Sequence, residues 1–514
     1  MTTSKLRRSA IYLAAAVLIP TGVFAASTPA LADPPPACAS NVPSDFNGDG
    51  FADIAAGAPY RTVAGVDSAG AVRVVYGGPT GLATSGTDQY FDQNSSNVVG
   101  APTENDNFGW DLATGNFNGD CYADLAIATP GENDVTILYG SAAGLTTTDP
   151  GHIAGNQSKS SFGWIVTAGD FNGDGIDDLA VGAPFASDAG KSESGEVGIA
   201  YGSASGLQQP AQWIDQSTAS VPGVAETDDG FGNTLAAGDF NGDGVADLAI
   251  GVPNESNGSV AHGGSVTVVL GSKTQGLTGT GAQLWTQSTS GVPGTDEKGD
   301  NFGTDLAAGD VNGDGKADLV IGAQNEDVGT AVDAGDITYL AGSKSGLTAT
   351  GSKSYSQATA DIPGTAEKGD NFGFYVVIGD FNGDGKGDIA VGTPFEDGGS
   401  DADSGTVTII KGTSSGPTAT GAKSWDQNSA GIGGTVEEGD WFGFSLYAAN
   451  ITTGHTDLVV GVPGESTGTD EFDGALNVIP GSAGGLTSTG SQYFGEPTDV
   501  AGSDFADEWG FSVA

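Results

Sequence analysis

Short apolar runs rich in β-branched and small residues recur down the chain, each closed by Gly and Pro: IAAGAP from Ile54, LAVGAP from Leu179, LAIGVP from Leu248 and IAVGTP from Ile389. Runs of this length bounded by turn residues predict buried strands. Ahead of each lies an alternating segment opened by Phe-Gly, such as FGWIVTAGD from Phe162 or FGFYVVIGD from Phe372. Behind each comes a third run (AVRVVYGG from Ala71, SVTVVLGS from Ser265) and a fourth (DQYFDQ from Asp88, AQWIDQ from Ala211). The unit is therefore four strands. It starts again with the Phe-Gly pairs at Phe108, Phe162, Phe231, Phe302, Phe372 and Phe442. Self-similarity at one period, with four strands to the period, predicts an all-β ring of antiparallel blades, a β-propeller.

Between the first and second strands stands a loop of constant pattern. It reads DFNGDGFAD from Asp45, DFNGDGIDD from Asp170, DFNGDGVAD from Asp239, DVNGDGKAD from Asp310 and DFNGDGKGD from Asp380. Oxygen side chains at positions 1, 3, 5 and 9 with Gly at 6 suit a hard cation, so the loop reads as a calcium site. An EF-hand would need a Glu at position 12, which here is Ala56, Val181, Ile250, Ile321 or Val391. Asn-Gly and the strand that follows place the loop at a hairpin tip instead. A second copy starts at Asn116 and has Cys121 for the Gly, leaving Asn118, Asp120 and Asp124 as a weaker set. A worn seventh copy keeps only Asn450 and Asp457 and is expected to hold no ion.

The two ends complete one unit. Asp45 has no Phe-Gly strand before it, and the sequence closes on Trp509-Gly510-Phe511-Ser512-Val513-Ala514, a first strand with no loop after it. Laid in register, head and tail share a blade, which gives seven.

Phe-Gly and Gly-Ala-Pro signatures around D-x-N-x-D-G-x-x-D make residues 42 to 514 resemble the FG-GAP repeats of the integrin α-chain N-terminal propeller and its secreted bacterial relatives. The resemblance implies a seven-bladed propeller over residues 45–514, with calcium on one face and ligand contacts on the other. Carried over position by position, the metal ligands are Asp45, Asn47, Asp49 and Asp53; Asp170, Asn172, Asp174 and Asp178; Asp239, Asn241, Asp243 and Asp247; Asp310, Asn312, Asp314 and Asp318; and Asp380, Asn382, Asp384 and Asp388. The carbonyls of Phe51, Ile176, Val245, Lys316 and Lys386 complete the shells.

Composition narrows the function. Residues 1–32 have a basic start (Lys5, Arg7, Arg8), an apolar stretch broken by Pro20 and the small-residue site Ala30-Leu31-Ala32, which reads as a secretory signal peptide. Residues 33–44 are a short tail. Removal of residues 1–32 would take the net charge from -49 to -52, with Arg61 and Arg73 the only arginines left. No basic face for nucleic acid can be assembled from that, and anionic membranes are excluded on the same ground. Two cysteines in an exported chain predict a Cys38–Cys121 disulfide; the rival, lipid modification of Cys38, lacks the Leu-containing pattern before it.

No catalytic constellation emerges. GTSSG at Gly412 to Gly416 matches a nucleophile elbow but falls in the turn between third and fourth strands. His152, His262 and His455 occupy unrelated points of the repeat. The expected protein is a secreted, monomeric binding or adhesion module for an extracellular protein or glycan. The inter-blade segments STASVPGVAETDDG and STSGVPGTDEKGDN supply its candidate ligand surface. The alternative is an extracellular hydrolase or a polysaccharide lyase.

Overall fold

The computed structural model describes residues 42–84, 88–188, 190–399, 401–452, 454–466, 472–495 and 507–514. The segment read as a signal peptide, most of the tail and Cys38 lie outside them. Among the described residues, twenty-eight strands form seven separate four-stranded antiparallel sheets, a seven-bladed propeller. The third blade shows the pattern: Val166–Gly169, Asp178–Ala183, Glu196–Ala200 and Gln212–Ile214 pair in chain order. In the first blade Ser512–Val513 pairs with Ile54–Ala58, which pairs with Ala71–Val75 and then Gln89–Phe91. Ala55 and Ala514 exchange two backbone hydrogen bonds of 2.8 and 3.0 Å. Tail and head share a blade, as the register of Trp509 predicts.

The apolar core lies between blades. Every second strand from Asp124–Thr129 onward is buried along its whole length, which is why those runs carry apolar residues on both faces. One cluster joins Phe117 and Ile137 of the second blade to Phe162 and Leu179 of the third, and six more repeat the arrangement round the ring. The Phe of each Phe-Gly pair from Phe108 to Phe442 is fully buried.

Packing between blades also explains the paired glycine signatures. A Cβ on Gly182, in the Gly-Ala-Pro of the third blade, would stand 2.1 Å from the carbonyl oxygen of Gly232, in the Phe-Gly of the fourth. The same approach recurs from Gly57 to Gly109 and from Gly461 to Gly510, each at 2.1 Å. Gly232 itself has φ +88, the left-handed region that only glycine enters cheaply. The two motifs are the two sides of one close backbone contact.

Candidate functional site: hairpin belt, central channel and opposite face

Each Asp/Asn loop leads into the second strand of its blade, so all seven lie on one face. They are tied to one another. The position-1 carbonyl accepts the position-8 amide of the next blade's loop: Asp45 O from Ala123, Asp170 O from Ala246, Asp239 O from Ala317, Asp310 O from Gly387 and Asp380 O from Thr456, at 2.8–3.3 Å. Asn116 O accepts from Asp177, and Asn450 O from Ala52, which closes the circle across the chain ends. The loops form a continuous belt.

Within a loop the predicted ligands hold the turn. Asp170 accepts the amides of Asp174 and Gly175 at 3.1 and 2.8 Å, Asn172 Oδ1 that of Asp174 at 3.0 Å, and Asp174 Oδ1 that of Ile176 at 3.0 Å. Asp45, Asn47 and Asp49 behave alike in the first loop, where Asp49 Oδ1 accepts the Phe51 amide. The position-1 aspartates Asp239, Asp310 and Asp380 take the amides of Asp243, Asp314 and Asp384 at 3.0 Å each. Position 6 is left-handed in all of them, and Cys121 is forced into that region with φ 77. Cys121 carries no free thiol; its expected partner Cys38 lies outside the described residues.

The position-9 aspartate does more than the ligand pattern suggests. Asp178 is fully buried, with Oδ2 accepting the Phe171 amide at 2.9 Å and Oδ1 the Gly202 amide at 2.8 Å. It thus fastens the loop to the end of the third strand. Asp53, Asp124, Asp247 and Asp318 repeat both bonds. Asp388 and even Asp457 of the worn loop keep the third-strand bond. In the worn loop, too, Asp457 thus has a structural duty that needs no ion. In the sixth loop Asn382 Nδ2 donates to Asp388 at 2.8 Å, and Asn172, Asn241 and Asn312 face their hubs in the same way.

Burial sets the electrostatics. Desolvation pushes Asp53, Asp124 and Asp178 up to about 8, against the pull of their amide partners, and neighbouring loop aspartates add to the rise. Asp247 rises to about 7 and Asp318 to about 6 for the same first reason. Among the described residues no three His, Cys, Asp or Glu side chains already share an ion-sized centre. The donor set nonetheless fits a hard cation: all oxygen, turned along one tight loop, with mutual repulsion that positive charge would relieve. Two loops supply such charge from within, where Lys316 Nζ lies 3.2 Å from Asp314 and Lys386 Nζ 3.4 Å from Asp384. With an ion bound, positions 1, 3, 5 and 9 and the position-7 carbonyl would hold it.

The innermost strands enclose a channel of about 320 Å³ lined by all seven blades. Asp111 and Asp305 border it, each accepting an amide from the first strand of the next blade, Val166 at 2.7 Å and Val376 at 2.6 Å. Burial raises Asp111 to about 7 and Asp305 to about 8, the second also feeling the first.

The face opposite the belt carries a feature the sequence reading missed. The residue after each Phe-Gly is Trp110, Trp164, Phe374, Phe444 or Phe511 in five blades, but Asn233 and Thr304 in the other two. These five rings stand in file, with centroids 4.9 Å apart for Trp164–Trp110, 5.0 Å for Trp110–Phe511, 5.1 Å for Phe511–Phe444 and 5.0 Å for Phe444–Phe374. The signal was present in the aligned repeats, one position past the motif. GTSSG, by contrast, is the turn between Thr406–Lys411 and Thr418–Trp425, as the repeat register requires.

Six stretches match the FG-GAP repeat family model: residues 39–75, 108–145, 162–199, 231–269, 302–340 and 372–410. The propeller is built of FG-GAP repeats. Over 161 residues the repeats are 36% identical to bovine (Bos taurus) phosphatidylinositol-glycan-specific phospholipase D, a match taking in 31% of this chain and 18% of that protein. The human (Homo sapiens) enzyme of the same name is 37% identical over 161 residues, with the same shares. Integrin alpha-5 of Xenopus laevis is 30% identical over 243 residues, 46% of this chain and 21% of that one. The chain thus spans about a fifth of the length of these relatives.

Proposed function

We propose that this FG-GAP propeller is a secreted, calcium-binding module that recognises an extracellular protein or glycan through the face opposite the hairpin belt. The belt carries the reading: five loops with complete oxygen donor sets, set in a hydrogen-bonded ring of seven, would make a base whose integrity depends on charge neutralisation. Calcium at Asp45, Asp170, Asp239, Asp310 and Asp380 and their partners would fix the base, and the loop at Asn116 would bind more weakly. Extracellular calcium sites of this kind work in the sub-millimolar to millimolar range. A Cys38–Cys121 disulfide would tie the tail to the second loop. No helix among the described residues is long and apolar enough to cross a membrane.

The phospholipase D relatives favour a second reading, an extracellular hydrolase, yet the match covers 18% of the bovine enzyme and fold does not fix activity. A protein and glycan array, read with calcium and again with chelator, tests the first reading. Calcium-dependent retention of a ligand is expected. Absence of any ligand, or release of product from a lipid or polysaccharide by the purified protein, would overturn it.

A further inference from the structure

Ten aromatic rings lie on the face opposite the belt, and none of them is buried. The five in file after the Phe-Gly pairs are flanked by others at edge-to-face distances: Phe185 at 5.4 Å from Trp164, Tyr60 at 5.5 Å from Phe511, Phe395 at 5.5 Å from Phe374. Trp441 lies 6.1 Å from Phe444 and stacks on Phe472 at 6.0 Å. The result is a horseshoe one or two rings wide, running over five inner strands.

Packing does not require it. Asn233 and Thr304 occupy the same position in the fourth and fifth blades, whose Phe231 and Phe302 are as fully buried as any. The repeats serve as an internal control: a blade junction closes equally well without the exposed ring. Large apolar side chains kept partly exposed, contiguous and on one face mark an interaction surface.

Resting on the binding role above, we propose that this horseshoe is a glycan-binding site, and that its ligand is a polysaccharide whose sugars carry no acidic groups. The C–H bonds on one face of a pyranose are weakly positive and lie against the negative face of an aromatic ring. Rings 4.9–5.1 Å apart, tilted 42–49° to one another, make a continuous aromatic strip along the arc for such contacts. A chain with net charge -49 repels acidic polymers, while its carboxylates and Ser, Thr and Asn oxygens accept hydrogen bonds from sugar hydroxyls. A protein partner needs a contiguous desolvated patch at the centre of its footprint, and here the centre is the mouth of a channel bordered by Asp111 and Asp305.

The test is titration of the full chain, in calcium, with soluble laminarin, cellopentaose, chitopentaose and glucosamine oligomers, with polygalacturonate as the acidic control. Tryptophan fluorescence from Trp110 and Trp164 is expected to shift on binding, a readout that needs no variant. Trp110→Ala and Trp164→Ala are each expected to weaken binding about tenfold or more, as loss of a stacking platform does elsewhere, while Thr304→Ala retains it. Trp110→Phe, which keeps a ring, restores most of the affinity and guards against a folding defect. Retention of polygalacturonate alone, or glycan binding unchanged in both Trp→Ala variants, overturns the inference. Capture of a protein ligand with no glycan retained overturns it too, but leaves the binding role standing. Absence of every ligand overturns both.

Discussion

Trp509→Ala probes how the ring is fastened. Trp509 stands where the other blades have Phe, is 3% exposed, and has the Arg61 guanidinium 5.5 Å from its ring centroid and Tyr90 edge-on at 6.1 Å. Truncating a buried Trp costs about 3–5 kcal/mol, and the lost cation–π contact about 1 kcal/mol more. Unfolding entropy of about 2.1 cal/mol/K per residue over roughly 470 residues is about 1 kcal/mol/K. If the seven blades melt as one unit, the midpoint therefore falls by only about 4–6 °C. Scanning calorimetry in calcium reads this directly. Phe108→Ala, at the matching place in an interior junction, should fall by a similar amount. A first blade that melts separately in Trp509→Ala, well below the rest, would show that the closing strand does not bind the ring into one cooperative unit. A shift below about 1 °C would refute the burial argument itself.

Other consequences follow from named contacts. Asp178→Ala leaves the Phe171 and Gly202 amides without their buried acceptor and should cost about 2–6 kcal/mol in denaturant titration even with EDTA present, at about 1–3 kcal/mol for each buried amide left unsatisfied. Asp174→Ala, on the exposed part of the same loop, should cost under about 1 kcal/mol in EDTA and lose its site's share of calcium stabilisation. Arg61→Ala breaks the buried ion pair in which Asp507 Oδ2 lies 2.5 Å from the guanidinium, at about 3–5 kcal/mol, read as a drop in urea midpoint. Without calcium, stability should fall as pH rises from about 5 to about 8. Burial lifts Glu326 to about 8 and Glu255 and Glu396 to about 7, with Asp300, Asp229 and Asp370 among the neighbours adding to each rise. The folded state then holds protons that the unfolded chain has released, so the slope is negative. A midpoint that rises over this window would contradict it.

Much of the fold was legible because each repeat carries its own punctuation. Runs such as LAVGAP, apolar on both faces and stopped by Pro, could only be central strands, and Trp509-Gly510 at the tail betrayed the shared blade. Fourth strands were harder to bound. They run from three residues at Gln89–Phe91 to ten at Gly346–Tyr355, because a register shift lets some pair along the turn as well. At the site, ligand types were readable but not their second duty. An Asp at position 9 looks the same whether it meets an ion or the Gly202 amide, and only Asp457, kept beside Asn450 in the worn loop, hinted at the difference. Inter-blade segments drew attention as the ligand surface through their variety. The aromatic file stayed hidden because Trp110 and Phe444 read as ordinary strand residues until the ring brought blades side by side.

The most direct measurement is calcium uptake by the intact chain in equilibrium dialysis, paired with its melting temperature. The account predicts five ions held by the complete loops, a sixth more weakly at Asn116, and a midpoint that rises with calcium and collapses with EDTA. No uptake, or a melting temperature indifferent to chelator, would contradict it.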